Sequence, residues 1–187
     1  RKSELKALQS QINPHFLYNT LDSIIWMAEG RKYEEVVLMT ASLARLLRQS
    51  ISNEDEVVPL AREVEYAKGY LTIQKMRYKD KLEFEINVEP SILNIPLIKL
   101  VLQPIIENAI YHGLKYKESK GLLQVKGFMK DGNAVLQVID NGVGMDEETL
   151  AHIYDKHKVN YHSNGVGVYN VQKRLKLYYG ENYGITY

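Results

Sequence analysis

After Pro14, apolar residues fall at Leu17, Leu21, Ile24, Ile25 and Ala28, which at ~100° per residue form one helical face. Before Pro14 they fall at Leu5, Leu8 and Ile12, out of phase with that stripe. One long helix over residues 2–29 is predicted, kinked where the proline removes a backbone hydrogen bond. His15, Asn19, Asp22 and Trp26 lie on the side away from the second stripe, and Gly30 is the stop. Val36, Met39, Leu43, Leu46 and Leu47 mark a second helix over residues 33–51. The short connection implies an antiparallel hairpin. Two helices cannot cover both stripes by themselves, so a homodimer closing a four-helix bundle is expected.

Residues 53–59 predict a polar turn ending at Pro59. A third helix follows over about residues 60–79, with Leu60, Val64, Ala67, Leu71 and Tyr78 on one face. The period then changes from helical to two. Leu82, Phe84, Ile86 and Val88 alternate with polar residues, as in a half-buried strand. Residues 95–116 predict a helix, with Pro96 near its start and Pro104 inside it. Strands over residues 122–130 and 134–140 are joined by Asp131-Gly132-Asn133, a hairpin signal. Residues 141–165 are polar and turn-rich, Val166–Tyr179 is helical, and Tyr183–Tyr187 predicts a strand cut short. The fold class expected is α+β: a helical-hairpin segment over residues 1–80, then an α/β sandwich over residues 81–187.

A charge of +1 excludes a generally basic or acidic surface, so nucleic acid is not an expected partner. The absence of cysteine excludes disulfides, thiolate zinc sites and cysteine nucleophiles. No apolar run approaches the roughly 18 residues of a membrane span, and no signal peptide is visible. Because the chain opens at Arg1 inside a helical pattern, it is expected to be a fragment of a longer protein.

Three segments carry candidate nucleotide chemistry. Asp140 ends a strand and opens the turn Asp140-Asn141-Gly142-Val143-Gly144. A carboxylate there can accept from the exocyclic amine of adenine and reject guanine, while Gly142 and Gly144 let the backbone approach the base. Taken alone it reads as an ordinary turn. In Glu107-Asn108-Ala109-Ile110-Tyr111-His112-Gly113, the Asn108 amide oxygen is a hard ligand suited to Mg²⁺ held mainly by phosphates and water. His112 and Lys115 lie within reach of phosphate oxygens; alone, this is a polar helix face. Gly165, Val166, Gly167 and Val168 open a helix whose N-terminal amides suit an anion. The polar stretch before them is long enough for a lid. His152, His157 and His162 recur every five residues and read as solvated lid residues, because that spacing does not align metal ligands on a helix. No Gly-x4-Gly-Lys-Ser/Thr loop is present.

The triple resembles the Bergerat ATP-binding fold of histidine kinases, gyrase B, heat-shock chaperone ATPases and MutL. The resemblance implies that Asn108 binds Mg²⁺, Asp140 reads adenine, His112 and Lys115 approach the phosphates, and Met145–Asn164 is an ATP lid. Leu8–Leu21, containing Asn13-Pro14-His15-Phe16-Leu17-Tyr18-Asn19, resembles the phosphoacceptor box of LytS/YesM-type sensor histidine kinases. The resemblance continues through Leu71–Tyr78 and ends in Val168–Leu175, with the YesM branch fitting best. It implies Mg-ATP-dependent phosphorylation of His15 and phosphotransfer to an aspartate on a response regulator receiver domain. It further implies a cytoplasmic position behind a membrane-anchored sensor and linker in a bacterial protein, and sheet strands beyond Tyr187. Where many histidine kinases carry an acid after the phosphorylated histidine, this chain has Phe16, so the proton acceptor stays open. Asn19 is a candidate to orient water for dephosphorylation. The rivals are a Bergerat-fold ATPase in which Glu107 activates water, and a catalytically silent nucleotide-binding scaffold.

Overall fold

The computed structural model describes residues 12–51, 56–114, 118–151 and 165–187. Helices α1 (Pro14–Glu29) and α2 (Tyr33–Ile51) form the hairpin. Strand β1 (Val57–Pro59) leads into α3 (Leu60–Tyr78), and β2 (Leu82–Val88) follows. Next come β3 (Pro96–Ile98), α4 (Leu102–Asn108) and a π-helical continuation over Ala109–Leu114. Strands β4 (Gly121–Lys130) and β5 (Asn133–Asp140), then α5 (Glu147–Ala151) and α6 (Gly165–Tyr179), complete the order.

Helix α1 starts at Pro14 rather than kinking there, which corrects the expected continuous helix; residues 2–11 lie outside the described set. The Asn13 side chain accepts the His15 backbone N–H at 2.9 Å. Asn is a strong N-cap, and proline at the first helical position sacrifices no hydrogen bond. The stripe after Pro14 is also divided. Phe16 and Thr20 are buried, and Leu17 and Ile24 pack partly against the core. Leu21 and Ile25 remain 41% and 55% exposed, so half the stripe is unused within one chain. Helix α2 follows its predicted period, burying Met39, Leu43, Leu46 and Ser50.

Helix α3 is the hub. It packs on α2 on one side and on β2 and α4 on the other, which explains why Ala67, Tyr70, Leu71 and Ile73 are all buried. One core runs from Phe16 through Leu46, Leu71 and Ile73 to Ile106, Leu123 and Val125. Phe16 meets Tyr70 with ring centroids 4.7 Å apart. Lys75 closes the end of α3, donating to Lys79 O, Leu82 O and Glu83 Oε1.

The sheet is mixed, in order β2-β4-β5: β2 runs parallel to β4, and β4 antiparallel to β5. Alternate residues of β4 (Gly121, Leu123, Val125, Gly127) face the core. Asp131 and Gly132, at φ 51 and 79, make the two-residue turn that the Asp-Gly pair predicts.

Three expectations are corrected. The turn over residues 53–59 ends in β1, which pairs antiparallel with β3. The helix expected over residues 95–116 is β3, a turn in which Leu100 takes φ 61, and then α4 from Leu102. Pro104 thereby falls in the first turn of α4, where it breaks no helical bond. Residues 183–187 form no strand: Ile185 N–H donates to Gln172 Oε1 of α6 at 2.6 Å, finding its acceptor on a helix side chain.

A buried carboxylate far away in sequence sets the start of α4. Glu63 Oε1 accepts from Val101 N at 2.8 Å and Leu102 N at 3.3 Å. Arg174 of α6 donates to Lys99 O and Leu100 O, fixing the strained turn. Glu63→Ala strands two buried amides, and is expected to destabilise the fold by about 2 kcal/mol. Urea unfolding checks this, and an unchanged midpoint would refute the capping role.

Candidate functional site

Two clusters form around α4 and its π-helical continuation. In the first, the end of the helix-derived segment and the strand turn interlock. Asp140 Oδ1 accepts Gly142 N–H at 2.9 Å, and Val143 N–H donates to Gly113 O at 3.1 Å. A Cβ on Gly142 would lie 1.9 Å from Gly113 O, and one on Gly113 would lie 2.6 Å from Asp140 Oδ1. Both positions therefore need glycine for close approach, not for turn formation alone. Gly144 differs: it sits at φ +74 with open space around it, and needs glycine for its backbone conformation. Asn141 anchors the turn by accepting Leu122 N–H at 2.7 Å. Asp140 Oδ2 takes no hydrogen bond from the described residues and is open to a ligand donor.

Asn108 ends α4, and its side chain makes no hydrogen bond with the described residues. Beyond it the helix widens to π geometry, with His112 half-buried and its ring edge-on to Tyr111 at 5.2 Å. Such widening re-aims the residues that follow. Gly165, Val166, Gly167 and Val168 form the first turn of α6. Gly167 lets that turn approach Pro104, where a Cβ would lie 3.2 Å from the proline Cβ, and Val168 is fully buried. Lys115 and residues 152–164 of the expected lid, with His152, His157 and His162, lie outside the described residues. Among the described residues, no group of three or more histidine or acidic side chains is placed to hold a metal.

The second cluster is a cleft between α1, α3 and α4. His15, Asn19, Arg77, Glu107 and Tyr111 line it together. His15 is exposed there, in the first turn of α1, and Asn19 follows one turn later. Glu107 and Asn108 are adjacent in sequence, yet only Glu107 lines this cleft. Burial pushes the Glu107 carboxyl up to about 7, with the hydrogen bond from Gln103 opposing. Burial first, and then the charge of Glu107, hold the Tyr66 and Tyr70 phenols above the usual tyrosine range. Arg77 lies within the Leu71–Tyr78 stretch of the family resemblance, where it reads as the charged end of an amphipathic helix; the fold is what brings it into the cleft that His15 lines.

Comparison with known proteins gives two family matches along the chain. A family profile described as "Histidine kinase" matches residues 3–82. Another, described as "Histidine kinase-, DNA gyrase B-, and HSP90-like ATPase", matches residues 94–185. Sensor histidine kinase YesM of Bacillus subtilis is 36% identical over 99% of this chain and 31% of its own length. Sensor protein LytS of Oceanobacillus iheyensis is 33% identical over 97% of this chain and 32% of its own. Sensor histidine kinase YpdA of Escherichia coli is 34% identical over 96% and 31%. A solved histidine kinase domain from an Erythrobacter litoralis blue-light activated kinase aligns with 92% of this chain and 82% of that one. At 15% identity and a TM-score of 0.49 it is too distant to add to these matches. The chain spans about a third of the length of the sequence relatives. Over that span, this chain belongs to the LytS/YesM-type sensor histidine kinases, with histidine kinase helices followed by a Bergerat-fold ATPase-type domain.

Proposed function

We propose that this chain is the catalytic core of a two-component sensor histidine kinase that uses ATP to phosphorylate His15. Residues 1–80 serve as the dimerisation and phosphotransfer segment, and residues 81–187 as the ATP-binding unit. The observation that supports this most directly is the placement of His15. It is exposed and opens onto a cleft whose wall includes α4, the helix that ends in Asn108. Asp140, with an oxygen open beside the interlocked glycines, suits the adenine amine. The Asn108 amide is a hard oxygen ligand that makes no hydrogen bond with the described residues, and no acidic cluster stands near it among them, which fits Mg²⁺ held by one amide, phosphates and water. Bound there, Mg²⁺ supplies charge neutralisation for the phosphates. His112, Lys115 and the α6 amides of Gly165–Val168 are assigned to the phosphates, and Asn19 to water near the phosphorylated imidazole.

Leu21, Ile25, Val37 and Leu38 stay exposed on the hairpin; a second copy of the chain covering them makes the homodimer. The downstream partner is an aspartate of a response regulator receiver domain. The upstream one is a membrane-anchored sensor joined through a linker, which makes this the cytoplasmic part of a bacterial membrane protein. Among the described residues, no helix is long and apolar enough to cross a membrane.

The test is incubation with Mg²⁺ and γ-labelled ATP, comparing wild type with His15→Ala and Asn108→Ala. Acid-labile, base-stable label that is lost in both variants is expected. Steady ATP hydrolysis unaffected by His15→Ala would instead favour an ATPase in which Glu107 activates water. Nucleotide binding without label would favour a silent scaffold.

A further inference from the structure

Arg77 sits in the last turn of α3 and lines the same cleft as His15. Its Nη1 donates to Gln74 Oε1 at 2.7 Å, and Gln74 Nε2 donates in turn to the Tyr70 hydroxyl at 3.0 Å. The Tyr78 ring lies 5.3 Å from its Cζ. The guanidinium is thus held in position by neutral groups. It forms no ion pair with the described residues, and its buried Nε–H has no acceptor among them. Glu107 in the same cleft accepts a hydrogen bond from Gln103. A positioned guanidinium with no carboxylate partner and an unsatisfied N–H among the described residues is built for an anion that arrives later. Its planar fork matches the oxygens of a phosphoryl group. One acceptor of such a group, the imidazole of His15, lines the same cleft at the positive end of α1.

We propose that Arg77 binds the phosphoryl group passing to His15, both in the transition state and on the phosphorylated imidazole. This rests on the reading of His15 as the phosphoacceptor. In that step the lone pair of the unprotonated ring nitrogen attacks the γ-phosphorus. The N–P bond forms as the bond to the β,γ-bridging oxygen breaks, and that electron pair leaves with ADP. The proton on the other ring nitrogen stays where it is, and no further reactant is needed. Arg77 offers charge and N–H donors to the oxygens of the moving group, where a loose transition state is most responsive to neutralisation.

The test compares wild type, Arg77→Gln and Arg77→Lys by single-turnover labelling at saturating ATP, with nucleotide affinity measured separately. Arg77→Gln is expected to label about 100-fold more slowly, with affinity unchanged within about threefold. A second readout needs no ATP: the proteins are phosphorylated on histidine with phosphoramidate, and the phosphoryl resonance is titrated by phosphorus NMR. In wild type it should titrate at lower pH than in Arg77→Gln, a difference that a purely structural role for Arg77 would not produce. Equal labelling rates and superimposable titrations would overturn the assignment. If Arg77→Gln does not fold, Arg77→Lys decides: a point charge replacing the fork should slow labelling about tenfold, and a wild-type rate would overturn it. Label that survives His15→Ala would remove the phosphoacceptor reading and this proposal together. His15-dependent label with no effect of Arg77 removes this proposal alone.

Discussion

Gly142→Ala is expected to abolish nucleotide binding while leaving the helices folded. The new methyl carbon would sit 1.9 Å from Gly113 O and 2.3 Å from Gly113 C. The obstacle is backbone, so no rotamer change relieves it. Either the Asp140 turn or the π-helical end must move, breaking the Val143–Gly113 and Gly142–Asp140 bonds. Overpacking against an immobile neighbour costs about 3 kcal/mol, and here it displaces the carboxylate assigned to adenine. A weakening of more than about 100-fold is expected, since each ~1.4 kcal/mol is tenfold. Gly144→Ala is the contrast: its Cβ meets nothing, and only the φ of +74 is strained. That costs about 1 kcal/mol, hence a loss of about tenfold or less. Titration with a fluorescent ATP analogue, with circular dichroism as the fold control, separates the two. Binding by Gly142→Ala within threefold of wild type would show that the interlock is not needed for the site.

Why that interlock is not legible in the sequence is a matter of range. The glycines are conspicuous as turn formers, but Gly113 and Gly142 are adjacent only because β4 and β5 return the chain to the end of α4. The Glu63 cap on Val101 and Leu102 has the same character. A glutamate among the polar residues of α3 gives no local sign that it serves another helix. Conversely, α2, α3 and strands β2, β4 and β5 are readable, because each buries a simple periodic face and the Asp131-Gly132 pair suits only a tight hairpin. Residues 95–116 fail on periodicity. Apolar residues crowd Ile95–Ile106 too densely to distinguish strand from helix, and Leu100 carries a left-handed turn without glycine, held by Arg174. At Pro14 the rule for helix starts governs in place of the rule for helix interiors, and Asn13 is the signal that separates them. The α1 stripe is apolar as its spacing indicates. Period alone could not say that Phe16 and Thr20 serve this chain's core while Leu21 and Ile25 remain exposed.

Glu107→Gln is expected to raise stability at alkaline pH and leave it nearly unchanged near pH 5. Burial raises the Glu107 carboxyl to about 7 in the folded protein, from an ordinary value of 4.5. Between these values the folded state binds more protons than the unfolded one, so stability falls as pH rises through that window and levels above about 7. Each pH unit separating the two values corresponds to about 1.36 kcal/mol, so the full penalty is on the order of 3 kcal/mol at pH 8. The exposed Glu83, drawn down by its hydrogen bonds to Lys75 and Lys120, works in the opposite sense and only in more acid solution. Glutamine keeps an oxygen for the Gln103 amide and does not ionise. Urea unfolding of both proteins from pH 5 to 8.5 should therefore give a falling curve for wild type and a flatter one for Glu107→Gln. The curves should meet at the acid end. Parallel curves would mean that Glu107 ionises as an ordinary carboxyl and that its burial carries no penalty.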